Sequence, residues 1–314
     1  MRSLLAVPLV LALSGCAALS DDSAGLDDGV QVAAAFYPLQ YVAERVAGEH
    51  AEVTNLTAPG GEPHDLELTV RETAEVAEAD LVVFEGGFQP AVDDAVETNA
   101  EGATLDVTDV LDLRPAAGDH DHDHEEPDSE SHEESHEESH DHGDTDPHFW
   151  QDPLLMGDLG DAVAEELAEV DPDHAEDYRA NAADLRADLE ALDAEYADGL
   201  ARCERDTVVV AHDAFGYLSR YGLEFEPIAG LSPDAEPTPA DLAHLQEVID
   251  DEGLTTVFYE SLVSPDIAEQ LARDTGAEVG VLDPVEGLTD ETAGEDYLSL
   301  MRQNLTALEE ANGC

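Results

Sequence analysis

Short apolar runs alternate with longer stretches of helical periodicity along most of this chain. Runs at 30–36, 52–57, 81–84 and 104–107 have the length and β-branched content of buried strands, and so do runs at 207–211, 224–228, 255–259 and 278–282. Between them, 39–47, 70–79, 239–251 and 265–275 repeat apolar residues at helical spacing. Strands separated by helices of this length build βαβ units and parallel sheets. Four strands fall on either side of a helical middle. The pattern therefore predicts an α/β protein of two doubly wound lobes, each with a roughly four-stranded parallel sheet.

The middle has its own signature. From Asp173 to about Arg202 there is no Pro, the one Gly is Gly199, and Leu185, Leu189, Leu192, Tyr196 and Leu200 recur at helical spacing. Asp171-Pro172 supplies a start signal of the cap-then-Pro kind. A helix of roughly 30 residues runs about 45 Å, so a helix over 171–203 acts as a rigid strut between a first lobe at 30–170 and a second at 204–314.

Two segments carry no core pattern. At the N-terminus, Arg2 precedes an apolar run over 4–13 that is broken only by Pro8. It is too short for a spanning helix, which needs about 20 apolar residues, and reads as a signal peptide over 1–15. Leu13-Ser14-Gly15-Cys16 resembles a bacterial lipobox, in which Cys16 is lipidated, and the acidic, small-residue stretch 16–29 becomes a flexible tether. The expectation is an extracytoplasmic lipoprotein anchored to the outer face of the cell membrane. Cys203 and Cys314 are then an even pair in an oxidising compartment, and their spacing leaves open whether they pair.

The second such segment is 119–146. It holds seven histidines, His120, His122, His124, His132, His136, His140 and His142, among Asp, Glu and Ser, with no aliphatic or aromatic residue. Nothing there offsets the entropy of ordering, so the segment is expected to be a disordered surface loop.

Composition narrows the function. The chain has 314 residues, with 77 acidic against 11 basic side chains, a formal net charge of −66, and every basic residue is Arg. Nucleic acid is excluded as a partner, because phosphate contacts need a basic surface. With 42% hydrophobic residues the chain still has material for real cores. Much of the acidity reads as a solvated, salt-tolerant surface, and ligands attracted over distance are cations.

Within the loop, His132-Glu133-Glu134-Ser135-His136 matches the H-E-x-x-H pattern of zinc proteases, and His136 to His140 repeats it. That chemistry needs the motif on a packed helix, which a low-complexity repeat without apolar flanks does not provide. Asp119, Asp121 and Asp123 imitate the start of a calcium loop, but the glycine needed for its sharp turn is missing. What remains is weak, exchangeable binding of transition metals by imidazoles among carboxylates.

Four isolated residues give a sharper signal. His64 lies in the loop after the second strand, in Gly60-Gly61-Glu62-Pro63-His64-Asp65. His148 lies in Asp146-Pro147-His148-Phe149-Trp150-Gln151-Asp152-Pro153, ahead of a helix. His212 and Asp283 each follow the last residues of a predicted strand. Ligands of open α/β sheets bind outside the carboxyl ends of strands, and three imidazoles with one carboxylate suit a tetrahedral Zn²⁺ site.

These segments resemble the solute-binding lipoproteins of zinc ABC uptake systems, the ZnuA-type family. The likeness runs from Val32 to Cys314. It is carried by Pro-His-Asp-Leu-Glu-Leu at 63–68, Ala-Asp-Leu-Val-Val at 79–83, the Asp-Pro-His-Phe-Trp-Gln-Asp-Pro run at 146–153 and His-Asp-Ala-Phe-Gly-Tyr at 212–217. Leu-Ser-Pro at 231–233, Glu-Pro-Thr-Pro at 236–239, Val-Phe-Tyr-Glu at 257–260 and Leu-Asp-Pro at 282–284 also fit, as does the His-rich acidic insertion.

The resemblance implies that His64, His148 and His212 are zinc ligands. Manganese-binding relatives place a carboxylate at the position of His212, so a third histidine favours Zn²⁺ over Mn²⁺. Asp283 matches a fourth ligand of several members and is preferred here to Glu62. Glu260, and Glu62 itself, are candidates for carboxylates that orient a histidine. The Cys203 and Cys314 pair resembles a disulfide that ties the C-terminal helix to the second lobe in part of the family. The implied function is non-enzymatic: a monomeric protein captures Zn²⁺ and delivers it to the membrane subunits of an ABC permease. The competing readings are a zinc-dependent hydrolase and a metal-dependent surface adhesin.

Overall fold

The computed structural model describes residues 29–116, 145–233 and 235–314. The predicted signal peptide, Cys16 with nearly all of its tether, and the loop histidines His120, His122, His124, His132, His136, His140 and His142 lie outside the described residues.

The first lobe is built from β1 (Val30–Ala34), α1 (Tyr37–Ala47), β2 (Ala51–Asn55), α2 (Val70–Glu78), β3 (Leu81–Phe84), α3 (Pro90–Asn99), β4 (Ala103–Asp106) and the single turn α4 (Val107–Val110). All its strand pairs are parallel, in the order β2-β1-β3-β4. Every residue of β3 is buried, as a strand covered on both faces requires. Two long helices follow, α5 (Pro153–Val170) and α6 (Ala175–Gly199).

The second lobe repeats the plan with β5 (Thr207–Val210), β6 (Glu224–Pro227), α7 (Pro239–Glu252), β7 (Thr256–Tyr259), α8 (Asp266–Thr275) and β8 (Glu278–Val281), closed by α9 (Tyr297–Asn312). Its sheet is again parallel, ordered β6-β5-β7-β8. The two orders are the same, so each sheet reverses direction between its first and third strands, where ligand crevices of such sheets form. The predicted two-lobed α/β architecture is the one observed.

The predicted linking helix over 171–203 is shorter and less isolated than expected. Pro172–His174 form a separate 3₁₀ turn, α6 starts at Ala175, and the chain leaves the helix after Gly199. Tyr178, Ala182, Leu185, Leu189, Leu192 and Tyr196 are buried along it. This apolar stripe packs chiefly on α5 and also meets α1 and α9. One hydrophobic core runs from β1 through α5 and α6 to α9, so it belongs to both lobes. A smaller core fills only the outer face of the second lobe, around Val209, Ile249, Val257 and Leu271.

Polar contacts stitch the seam between the lobes. Tyr217 of the second lobe donates its hydroxyl to the Asp146 carbonyl at 2.8 Å and accepts from the Arg114 amide at 3.0 Å. Trp150 Nε1 and Gln151 Nε2 both donate to the Pro284 carbonyl, at 2.7 and 2.5 Å. Tyr297 of α9 donates to the Trp150 carbonyl at 2.5 Å. The Cys203 and Cys314 sulfurs are bonded, which joins the end of the chain to the entry of the second lobe. Among the described residues, no helix is long and apolar enough to cross a membrane.

Arg side chains bridge the helices at the surface: Arg186 reaches Asp158 and Asp161, Arg179 reaches Glu165, and Arg302 reaches Glu195. Exposed pairs of this kind contribute about 0–1 kcal/mol each, too little to oppose the self-repulsion of a chain with a net charge of −66. Salt shortens the Debye length from about 10 Å at 0.1 M to about 3 Å at 1 M. The melting temperature is therefore expected to rise by several degrees between dilute and molar NaCl, and a flat thermal-melt series would contradict this. Reduction of the disulfide, which spans 111 residues, should lower stability in denaturant titrations by about 3–5 kcal/mol on loop-closure grounds.

Candidate metal centre

Strand β5 is a run of Thr and three Val, all buried. It ends at the switch point of its sheet and delivers His212 into the crevice. The neighbouring strand β7 is followed at once by Glu260, whose Oε1 accepts from the His212 backbone N at 3.1 Å and sits 2.6 Å from its Nδ1. One carboxylate thus fixes both the backbone and the ring. With Nδ1 engaged, Nε2 is the atom turned into the crevice.

His148 is held the same way. It follows Asp146-Pro147 and precedes the 3₁₀ turn Phe149–Gln151. Asp146 Oδ1 accepts from the His148 backbone N at 3.0 Å and lies 2.9 Å from Nδ1. The predicted disordered segment 119–146 therefore extends too far: Asp146 is buried and belongs to the site. It stands at the end of a long acidic run, so composition alone gave it the same reading as its neighbours. His64 comes from the loop after β2, where Glu62 Oε1 accepts from its backbone N at 3.0 Å.

The fourth donor that the structure brings to these imidazoles is Glu286, not Asp283. Glu286 Oε1 lies 3.5 Å from His64 Nε2, 3.5 Å from His148 Nε2 and 3.3 Å from His212 Nε2. Asp283 does follow β8, but its carboxylate is engaged elsewhere: Oδ2 accepts from Ser261 Oγ at 2.8 Å and Oδ1 from the Val285 amide at 2.7 Å. Asn304 of α9 clamps its backbone from both sides, at 2.9 and 2.6 Å. Asp283 builds the turn that presents Glu286. In that turn Val285 has φ 62°, alone among the described non-glycine residues in being positive. A β-branched residue held there costs on the order of 1–3 kcal/mol. The clamps of Asp283 and Asn304 offset that strain.

The donor set is compact and nearly dry. His212 and His148 are fully buried and Glu286 is 1% exposed. The four ligand atoms of His64, His148, His212 and Glu286 lie within 4.8 Å of one another, and the two Nε2 atoms of His148 and His212 are 3.4 Å apart. His64 Nε2 and both Glu286 oxygens are buried with no hydrogen-bond partner. A tetrahedral ion with bonds of about 2.0–2.1 Å sets its donors about 3.3–3.4 Å apart. The contacts of Glu286 Oε1, and that between the two imidazoles, have this length.

Charge explains how these buried groups sit side by side. Burial pushes the Glu286 carboxyl up, but the imidazoles of His148, His212 and His64 that face it outweigh burial and hold the group well below the usual carboxylate range. Burial pulls His212 down, yet the Glu260 and Glu286 carboxylates prevail and keep it well above the ordinary histidine value. His148 is likewise raised, with Asp146 and Glu286 overcoming burial. At His64 burial wins and the imidazole is pulled down. Burial, reinforced by Glu286, pushes Glu62 up to about 7.

Comparison with known proteins agrees with this geometry. A family model described as the periplasmic component A of the zinc-uptake complex matches residues 32–311. The zinc-binding lipoprotein AdcA of Streptococcus pneumoniae serotype 4 is 33% identical over 295 residues, which cover 90% of this chain and 56% of that protein. The high-affinity zinc uptake system protein ZnuA of Bacillus subtilis is 33% identical over 296 residues, which cover 93% of this chain and 90% of that protein. The chain thus spans little more than half the length of the AdcA relatives and nearly all of the Bacillus protein. The solved Zn(II)-bound ZnuA-like domain of S. pneumoniae AdcA superposes with a TM-score of 0.74 at 32% identity, covering 91% of this chain and 100% of that one.

Protons on His148 and His212 compete with a metal for the same nitrogens, and raising the pH removes the competitor. Metal affinity is therefore expected to keep climbing as the pH rises above the ordinary histidine range, with net proton release. Calorimetry in buffers of different ionisation enthalpy measures that release. An affinity independent of pH would contradict the raised histidines.

Proposed function

The chain belongs to the family of the zinc-uptake complex component A, and on that premise we propose that it captures one extracytoplasmic Zn²⁺ between its lobes and delivers it to an ABC-type membrane permease. No covalent chemistry is involved. The observation that carries this reading is the set of buried donors, His64, His148 and His212 with Glu286, gathered within 4.8 Å of one another and lacking other partners for His64 Nε2 and Glu286.

Three imidazoles and one carboxylate are softer than the oxygen-rich set that suits Mn²⁺, which favours zinc. Four protein donors also leave no open position for the water that a catalytic zinc keeps. This weighs against a hydrolase. In the proposed cycle Glu260 and Asp146 hold the His212 and His148 rings with Nε2 inward. Such partners tune affinity by about 10–100-fold in metal sites. The hydrogen-bonded seam and the shared core oppose a wide opening of the lobes. Release then follows from small shifts of the loops that carry His64 and Glu286 when the permease engages them. The protein acts as a monomer tethered through a lipid on Cys16. The histidines of the acidic insertion bind further metal weakly.

Competition titration of the purified protein against a zinc chelator tests the ligand set. Glu286→Gln is expected to weaken Zn²⁺ by about 100-fold and Glu260→Gln by about 10–100-fold. Asp283→Asn should cost less affinity than Glu286→Gln, and the reverse order would return the fourth-ligand role to Asp283. Deletion of 119–142, which spares Asp146, should remove weak sites and leave one tight one. Loss of the tight site in that variant would overturn the division of labour.

A further inference from the structure

The four donors are so enclosed that the cation needs a way in, and the least buried of them is His64, with 5% of its side chain exposed. A cavity of about 40 Å³ opens beside it, walled by His64, Glu85, Phe88, Thr145 and Pro147 from the first lobe and Leu231 from the second. Since roughly 10–15 Å³ suffices to seat one water, a cation fits there with part of its hydration.

Glu85 is the unusual member of that wall. It is 3% exposed, and its Oε2 is buried without a hydrogen-bond partner. Burial, reinforced by the Asp146, Asp106 and Asp93 carboxylates, pushes the Glu85 carboxyl well above the usual carboxylate range, so it is a group that gains its charge only when a cation comes to it. Its position in the fold is informative. Glu85 is the first residue after β3, as Glu260 is the first after β7. The two sheets share one strand order, so β3 and β7 are equivalent. Glu260 spends its carboxylate on His212, whereas no hydrogen bond to a histidine engages Glu85 and its side chain lines the cavity beside His64.

We infer that Glu85 is a staging ligand for the incoming cation. It binds Zn²⁺ transiently in the cavity between the lobes, before the ion passes His64 into the four-donor site. The inference rests on the proposed zinc-binding function and adds a route to it. A staging carboxylate lowers the barrier to entry and exit alike. It therefore governs rates rather than equilibrium affinity.

Stopped-flow mixing of the full chain with buffered Zn²⁺, together with chelator-driven release, tests this. Glu85→Gln removes the oxygen that becomes charged as the cation arrives, and is expected to slow association and release each by about tenfold while Kd stays within about threefold. Glu85→Asp, which keeps a carboxylate in the wall, should recover most of the rate. Leu231→Trp, which fills the cavity from the opposite lobe and leaves Glu85 in place, should slow both steps. Unchanged rates in Glu85→Gln overturn the inference, as does a loss of affinity seen only as faster release. If Glu85→Gln does not fold, a Leu231→Trp protein that loads at the unaltered rate overturns it. Failure of the unaltered chain to bind one Zn²⁺ tightly would instead defeat the proposed function itself.

Discussion

Three imidazoles aimed at one buried carboxylate form the arrangement on which the rest of this molecule depends. Stripping water from Glu286 costs several kcal/mol unless positive charge faces it, and His64, His148 and His212 stand on three sides at 3.3–3.5 Å. No hydrogen-bonded chain closes the cluster, since His64 Nε2 and both Glu286 oxygens lack partners. Such a centre is tolerable only if held rigidly from outside. The structure supplies that hold through carboxylates one step back from the site. Asp146 and Glu260 each grip a backbone N and an Nδ1 of the same histidine.

The lobes are tied to this centre as much as the centre is to them. Glu286 hangs from a turn whose Pro284 carbonyl takes hydrogen bonds from Trp150 and Gln151, in the segment that bears His148. Moving one lobe against the other would break those bonds and release the strained Val285. The helix pair α5–α6 and the continuous core behind it act in the same direction. This build favours local loop motion over hinge closure, because hinge closure would break those hydrogen bonds and divide the shared core.

How legible this was varied with the kind of signal. Parallel strands announce themselves as apolar runs, most plainly the buried central ones β3 and β5, so the two sheets could be placed to within a residue or two. The three histidines stood out because each occupied a strand end or a loop poised above one. Glu286 was missed for a physical reason. The strand-end rule points to the first polar residue after β8, which is Asp283, but the chain reverses there and Asp283 is consumed in making the turn. A left-handed Val gives no signal in sequence. The Pro284 that forces an early break, and the Gly287 just beyond Glu286, were the only hints. Asp146 was hidden differently, by standing beside an acidic tract whose composition argued for no structure at all.

The excess of carboxylates around the centre bears on how an empty and a loaded form share one fold. Glu62, Asp146, Glu260 and Glu286 surround three histidines that by themselves are neutral. Without an ion, part of that negative charge is balanced by protons, on His148 and His212 held above their ordinary value and on Glu62 raised to about 7. A divalent cation entering the crevice displaces those protons and takes over their role. The buried carboxylates thus face positive charge in both forms. The seam therefore need not rearrange for electrostatic reasons when metal enters. The −66 of the whole chain has no such local compensation. It is a property of the solvated surface, where salt screens it, and it acts on the site only by concentrating cations nearby. Selection of zinc belongs to the interior, where nitrogen donors outnumber oxygen three to one and the spacing leaves room for a tetrahedron.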